Sequence, residues 1–170
     1  MIYLFMFFKA RLNTGTPPRL SFKSINTKGL EIQPGDSKIQ FFSFVHEFQN
    51  FKPINKLVDC YITWTNKESH EVLMNNFDKL PEYEGNDGKG QGPRYCPSID
   101  KKLKRFPDKT THRIFLEPEG LNTDTIYPNG ISAAFEESVQ IEFLRCIKGL
   151  ENVQMTQPGT IMNNLINEIF

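Results

Sequence analysis

The hydrophobic and polar positions along the chain predict short strands and helices that follow one another without a regular order. Residues 60–65 alternate, with Cys60, Ile62 and Trp64 on one face, which predicts a half-buried strand with that face inward. Shorter apolar runs, several ended or bent by proline, predict further strands. These strands cover residues 41–44, 112–117, 126–132 and 153–155.

Two segments carry the spacing of amphipathic helices. Thr65-Asn-Lys-Glu68 matches a capping box, so a helix is predicted to begin there and to end before Pro81. A second helix is predicted over residues 136–148, with Gly149 as its C-terminal stop. The inward stripes are Leu73, Phe77 and Leu80 in the first helix and Val139, Phe143 and Ile147 in the second.

This mixture predicts an α+β fold with a mixed or antiparallel sheet and two main helices. Residues 1–159 are predicted to form one domain, and residues 160–170 a divergent amphipathic tail with Met162, Leu165 and Ile166 at helical spacing. The apolar residues 1–8 predict a buried strand, although an artificial start inside a longer protein would read the same way. They are too few to span a membrane, which takes about 20 residues, so no membrane insertion is expected.

Composition predicts a folded domain but names no partner. The 170 residues include 15 phenylalanines, enough for a sizeable core. Twenty basic and twenty acidic residues cancel, so a nucleic-acid contact would need a local patch. Three widely spaced cysteines without a CxxC pair fit neither a disulfide framework nor a zinc ribbon. The sequence has no Asn-x-Ser/Thr sequon, which fits a reducing, intracellular compartment.

Cys96 is the candidate nucleophile. It lies near the end of a glycine-rich loop over residues 82–97, before the cations of residues 101–102, with Arg94 close by. Neighbouring cations lower a thiol pKa and favour the reactive thiolate. The alternative is a small buried residue in a structural turn. The loop glycines fit neither a dinucleotide-binding fingerprint nor a phosphate-binding loop.

Residues 101–113 hold six cations and one acid, Asp108, which makes a phosphate-contact patch plausible; a solvated loop and strand edge is the alternative. The other titratable side chains are expected to be structural. Cys60 and Cys146 are assigned to the core, and the three histidines match no zinc spacing. His70 is expected to face solvent with Glu71. Glu117 and Glu119 could act as acid and base or form a charged turn.

Several ordered segments resemble one family. They are Arg11-Leu-Asn-Thr-Gly-Thr-Pro-Pro-Arg19, Gln33-Pro-Gly-Asp36, Gly92-Pro-Arg-Tyr-Cys-Pro-Ser-Ile99 with Arg105-Phe106, Ile114-Phe-Leu-Glu-Pro-Glu-Gly120, Ile126-Tyr-Pro-Asn-Gly-Ile-Ser132 and Gly149-Leu-Glu-Asn152. Together they resemble the MnmG family, also called GidA, of tRNA uridine 5-carboxymethylaminomethyl modification enzymes. The resemblance runs from residue 11 to residue 159.

The resemblance implies an enzyme that binds FAD, uses NADH and acts with an MnmE-type GTPase partner on tRNA. It implies modification of carbon 5 of the wobble uridine, with a methylene group from a folate and an amine that completes the group. A homodimer is implied for the complete enzyme. Cys96 is the implied catalytic thiol: a thiolate added to carbon 6 of uracil makes an enolate that can attack the methylene.

The resemblance also assigns binding residues. The positions implied to bind the nicotinamide cofactor are Gly92, Pro93, Arg94, Tyr95, Cys96, Pro97, Ser98, Ile99, Asp100, Lys101, Lys102, Leu103, Lys104, Arg105 and Phe106. The cations predicted to contact RNA are Arg94, Lys102, Lys104 and Arg105. No metal site is predicted.

The chain resembles the middle of a larger enzyme, a substrate or nicotinamide region inserted into a flavin fold. Lysine and glutamate are usual in the family where Asn13 and Asp100 stand. By itself the chain is expected to bind FAD poorly and to be inactive. Two alternatives are a non-catalytic RNA- or partner-binding remnant and a gene product without function. A mitochondrial location is expected for a eukaryotic source, and a cytoplasmic one for a bacterial source.

Overall fold

The computed structural model describes residues 7–37, 43–48, 57–80 and 98–169, without the side chains of residues 7–13, 47 and 162–169. Its strands are β1 (Phe7–Gly15), β2 (Arg19–Ser21), β3 (Glu31–Gln33), β4 (Cys60–Trp64), β5 (Arg113–Pro118), β6 (Thr125–Asn129), β7 (Met155–Gln157) and β8 (Ile161–Ile169). Six of them form one sheet in the order β3-β4-β5-β6-β2-β7, and β1 pairs with β8. All of these strand pairs are antiparallel.

The helices of the described part are α1 (Phe44–Phe48), α2 (Lys67–Met74), α3 (Ile99–Arg105) and α4 (Glu137–Arg145). Helices α2 and α4, the two longest, are the two main helices of the prediction, and they pack against each other. The predicted α+β class is confirmed, with an antiparallel sheet. Helix α3 is an addition to the prediction, because the sequence there reads as a run of charge.

The core lies where the inner face of the six-stranded sheet meets α2, α3 and α4. The fully buried strand residues include Leu20, Ile114 and Leu116, and the fully buried helix residues include Leu73, Ile99 and Leu144. Burying each of these large aliphatic side chains contributes roughly 1.5–3 kcal/mol before the entropy cost of ordering it.

Helix α2 begins one residue later than predicted. The Asn66 side chain accepts a hydrogen bond from the Ser69 backbone N–H, while the Ser69 hydroxyl accepts one from the Asn66 N–H. This is a reciprocal capping box, formed by Asn66 rather than by Thr65. Thr65 is instead buried and bonded to two histidines. Phe77, of the predicted stripe, lies in a separate 3-10 turn over Phe77–Lys79.

The face assignment in β4 is reversed. Thr63 is opposite Ile114 of β5 and is buried, whereas Trp64 is 40% exposed on the other face. The Thr63 hydroxyl donates to the Lys148 carbonyl in the turn after α4, which gives that carbonyl a hydrogen-bond partner. The hydroxyl therefore replaces an apolar contact at this position. Ile62, on the outer face, is nevertheless buried.

The carboxy-terminal segment is a strand, so the helical spacing of its apolar residues was misleading. Strand β8 runs antiparallel to β1 through nine pairs, from Phe7 opposite Ile169 to Gly15 opposite Ile161. The predicted domain boundary after residue 159 stays a prediction. Residues 7–8 of the predicted first strand belong to β1, and residues 1–6 lie outside the described part.

The remaining element predictions have mixed outcomes. The strands predicted at 112–117 and 126–132 correspond to β5 and β6. The strand predicted at 153–155 shares only Met155 with β7. Phe44 begins α1 rather than ending a strand, while residues 41–42 lie outside the described part, as do the loop residues 82–97. Helix α4 ends at Arg145 with Cys146 as its C-cap, so the prediction that Gly149 is its stop was wrong. Gly149, with a φ of 85°, lies in the turn that follows.

Candidate nucleic-acid interface

Helix α3 is anchored to the core by one face. Ile99 and Leu103, one turn apart, are buried, and the Ile99 N–H donates to the Ser132 carbonyl at 2.8 Å. The acidic Asp100 lies in the first turn, and cations fill the last turn. This order of charge suits the helix dipole, whose carboxyl end is negative. The packing therefore presents the basic end of α3 at the surface.

Lys102 lies on the inner side of α3. Its ammonium group donates to the Gly130 carbonyl at 2.7 Å, and burial lowers its pKa. Gly130 has a φ of 108°, so the strand β6 leaves the sheet through a backbone conformation that favours glycine. Lys102 thus ties α3 to the end of β6. The prediction that it contacts RNA is untested.

The outer cations of this region lie over aromatic rings. The Lys104 ammonium is 5.2 Å from the centroid of Phe77, and Arg105 and Lys109 are each 5.4 Å from the centroid of Phe106. We call Lys104, Arg105 and Lys109 the basic cluster. All three are exposed, so their charges are available to an anionic partner.

A buried pair of histidines lies near the basic cluster. The ring centroids of His70 and His112 are 5.4 Å apart. Thr65 contacts both residues: its hydroxyl accepts a hydrogen bond from the backbone N–H of His112 and lies 2.7 Å from Nε2 of His70. Burial lowers both histidine pKa values, and for His112 the charges of His70, Lys102 and Lys109 lower it further. Both imidazoles are therefore held in their neutral forms.

The prediction that His70 faces solvent was wrong, since only 5% of it is exposed, whereas Glu71 is exposed as expected. A signal was present in the sequence: His70 precedes Leu73 by three residues and so lies on the same face of the helix. His112 was not foreseen as its partner. Within the described part of the chain, its Nε2 and one carboxylate oxygen of Asp100 are buried without a hydrogen-bond partner.

The predicted catalytic and cofactor-binding positions divide into two groups. Residues 92–97, which include Arg94 and Cys96, lie outside the described part, so their roles stay predictions. Of the remaining positions, Lys104, Arg105 and Phe106 are exposed. The side chains buried in the domain are Ser98, Ile99, Asp100 and Leu103. Lys101 and Lys102 are half-buried.

The other two cysteines are half-buried rather than in the core. Burial raises the pKa of both the Cys60 and the Cys146 thiol, and nearby carboxylates raise each further. A raised pKa leaves little thiolate at neutral pH, so neither is a good nucleophile.

Glu117 and Glu119 form structural bonds. Glu119 pairs with Arg19, whose guanidinium also lies 4.5 Å from the centroid of the Tyr127 ring. Glu117 accepts a hydrogen bond from the Asn129 amide at 3.0 Å. These contacts favour the charged-turn interpretation over an acid–base pair.

A groove between α2 and α4 is lined by Glu68, Glu142 and Glu151, with Cys146 and Arg145 beside them. Three carboxylates oppose the pyrophosphate of a dinucleotide, so this groove does not fit FAD or NADH. Across residues 7–37, 43–48, 57–80 and 98–169, no cluster of three or more His, Cys, Asp or Glu side chains could hold a metal ion. None of the described helices has the length and apolar character that a membrane span requires.

Comparison with known proteins shows that the chain is similar to members of one protein family. The family model described as "Glucose inhibited division protein A" matches residues 5–168. The tRNA uridine 5-carboxymethylaminomethyl modification enzymes MnmG of two Streptococcus suis strains are each 47% identical over 149 residues, which is 88% of this chain and 23% of theirs. Two structures of Aquifex aeolicus GidA superpose on 95% of the chain.

One of those structures gives a TM-score of 0.79 at 41% identity and the other 0.82 at 44% identity. The chain covers 25% and 27% of them, respectively. It therefore spans about a quarter of the length of these relatives.

Proposed function

Since this chain belongs to the glucose inhibited division protein A family, we propose that it is part of an FAD-dependent enzyme that modifies carbon 5 of the tRNA wobble uridine. The observation that carries the proposal is the 47% identity to enzymes named for tRNA uridine modification, which extends over 88% of the chain. The group added would be a carboxymethylaminomethyl or a taurinomethyl group.

In this proposal the chain supplies an RNA-contacting surface. The basic cluster, Lys104, Arg105 and Lys109, is exposed at the end of α3, where arginine and lysine can reach phosphate oxygens. Phosphate contacts position an RNA without reading its sequence, so the choice of uridine would depend on other contacts.

We further propose that Cys96 is the nucleophile. It would add as a thiolate to carbon 6 of uracil, so that carbon 5 becomes an enolate carbon able to attack an electrophilic methylene. Loss of the carbon 5 proton and expulsion of the thiolate would then restore the double bond. The raised pKa values of Cys60 and Cys146 favour this assignment, because they leave those thiols protonated.

The cofactors and partners of the proposal are FAD, NADH, a folate-derived methylene donor, a GTPase of the MnmE type and a second copy of the enzyme. FAD would supply redox chemistry. The acidic groove between α2 and α4 does not fit either dinucleotide. A mitochondrial location also belongs to the proposal.

A chimera tests the proposal. The chain would replace the matching 149 residues of the Streptococcus suis enzyme, and wobble-uridine modification would be measured by mass spectrometry of tRNA nucleosides. We expect modification to be retained, to be abolished by Cys96→Ala, and to persist in the matched control Cys146→Ala. A folded chimera without activity would support the alternative, a non-catalytic RNA-binding remnant. Full activity of Cys96→Ala would remove that thiol from the mechanism.

A further inference from the structure

Phe106 lies at the end of α3, close to two cations. It is the C-cap residue, with backbone angles outside the helical region, and its carbonyl accepts a hydrogen bond from the Lys109 N–H at 3.1 Å. This turn brings the Lys109 ammonium and the Arg105 guanidinium to 5.4 Å from the ring centroid. The ring is nevertheless 42% exposed. A large apolar ring at the surface is thus fixed in place by a short, positively charged turn.

Another exposed phenylalanine, Phe22, has different surroundings from Phe106. Phe22 is 39% exposed, close to the value for Phe106. Its ring leans on Tyr61, with centroids 6.2 Å apart, and its N–H donates to the Asp124 carbonyl. Phe22 is therefore an exposed aromatic residue beside an acidic residue, and it serves as a matched control for Phe106.

An exposed aromatic ring beside two cations suits an unpaired nucleobase and its phosphate. Bases of single-stranded RNA stack on aromatic side chains or on arginine guanidinium planes, while neighbouring cations contact the backbone. Bases in a duplex are already stacked on one another and cannot reach the ring. Phe106 should therefore distinguish unpaired RNA from paired RNA, which phosphate contacts alone do not.

A dinucleotide, like an RNA base with its phosphate, has a planar ring and phosphates, but it binds in a different kind of site. Ligands of that size bind in clefts that enclose most of their surface. Phe106 lies at the outside of a helix end, and its neighbours Arg105 and Lys109 are exposed as well. The open position favours RNA.

We infer that Phe106, flanked by Arg105 and Lys109, stacks an unpaired base of the bound RNA. This inference rests on the proposed RNA-contacting function and adds to it a residue that selects single-stranded regions. The phosphates next to that base would lie against the two cations, and the ring would replace the stacking neighbour that the base loses in a loop.

The test compares two labelled RNAs with the same number of phosphates, a hairpin with an unpaired loop and a fully paired duplex, by fluorescence anisotropy with the whole chain. Phe106→Leu keeps an apolar side chain but removes the ring. We expect it to weaken hairpin binding about tenfold and to leave duplex binding unchanged. Phe106→Tyr, which keeps the ring, should bind like the wild type, and so should the control Phe22→Leu.

Three outcomes would overturn the inference. In the first, Phe106→Leu leaves hairpin binding unchanged while Lys104→Ala weakens the binding of both RNAs. The proposed RNA contact would then stand, and only the stacking would be wrong. Wild-type chain that binds neither RNA would contradict both proposals. Weaker NADH binding by Phe106→Leu, with hairpin binding intact, would assign the ring to a dinucleotide.

A second measurement does not depend on a variant. Iodouridine placed in the hairpin loop crosslinks on irradiation to an aromatic side chain stacked on it. With the wild-type chain, mass spectrometry should locate the crosslink at Phe106. A crosslink at Phe22 or Trp64 instead would contradict the inference.

Discussion

At the scale of single residues, the buried polar side chains carry the most specific information. Gln140 is 2% exposed and joins three backbone groups: its amide N–H groups donate to the Phe135 and Gly159 carbonyls, and its oxygen accepts from the Gly159 N–H. It thereby fixes the segment that leads into β8 against α4. A residue of this kind specifies the fold through hydrogen bonds that apolar packing cannot supply.

Replacing Gln140 by leucine should be strongly destabilising. The substitution keeps the side-chain volume approximately but leaves three buried backbone groups without partners, at a cost of roughly 3 kcal/mol or more. Urea unfolding of Gln140→Leu measures the loss, and the exposed Gln154→Leu is the control, expected within about 0.5 kcal/mol of the wild type. Equal stability of the two variants would show that the Gln140 bonds contribute little.

The neutral pair His70 and His112 predicts a stability that falls in acid. Both pKa values are lowered in the folded state from the ordinary 6.5, so the unfolded chain binds more protons around that pH. The contribution of the neutral pair is fully present above about pH 6.5 and is lost as the pH falls from there toward the folded-state values. Stability should therefore decrease between pH 7.5 and pH 5.

Urea unfolding at several pH values measures this dependence. His112→Gln removes one titrating group and should flatten the dependence, even if it changes the stability itself. Gln154→Leu, at an exposed position and without any change in titrating groups, is the control and should leave the dependence as it is. A wild-type stability that stays constant across this range would contradict the neutral assignment of the two imidazoles.

At the scale of elements, the sequence pattern predicted the helices and strands that are determined by interactions between neighbouring residues. The strands β5 and β6 and the helix α4 follow from apolar spacing and turn residues that act over a few positions. The face of β4 could not be predicted, because Thr63 turns inward to reach a carbonyl that is 85 residues away in sequence. The pairing of His70 with His112 is likewise a contact between distant segments.

Strand β8 is the clearest example of an element whose local sequence pattern is overridden by a distant partner. Its apolar residues recur at helical spacing, but the backbone hydrogen bonds of β1, which lie at the other end of the chain, are satisfied by an extended partner. Pairing across this distance overrides a local preference. For α3, the density of lysine obscured the two apolar positions, Ile99 and Leu103, that bury the helix.

Proline at position 165 tests the pairing of β1 with β8. Leu165 is opposite Arg11 near the middle of the ladder, and proline there removes a backbone donor and disturbs the neighbouring pairs. Hydrogen exchange should show that Leu165→Pro loses protection in residues 7–15 while β4 and β5 keep theirs. Unchanged exchange in residues 7–15 would mean that β8 does not pair with them in solution.

At the scale of the whole molecule, the chain has no net charge, but two of its described surfaces differ in charge. The basic cluster projects from the end of α3, while glutamates line the groove between α2 and α4. The sequence indicated the basic segment but not its geometry, since Lys102 turns to Gly130 and leaves Lys104, Arg105 and Lys109 outward. An anionic partner should therefore meet this molecule through one end of α3.

The salt dependence of tRNA binding tests this central claim most directly. The logarithm of the binding constant of the wild-type chain should fall linearly with the logarithm of the salt concentration. Lys104→Ala/Arg105→Ala should reduce that slope by about 1.5, since each phosphate contact contributes roughly 0.7 to 0.9. Lys23→Ala/Lys28→Ala removes the same charge elsewhere and should keep the slope. Identical slopes for all three proteins, or no binding of tRNA by the wild type, would contradict the account.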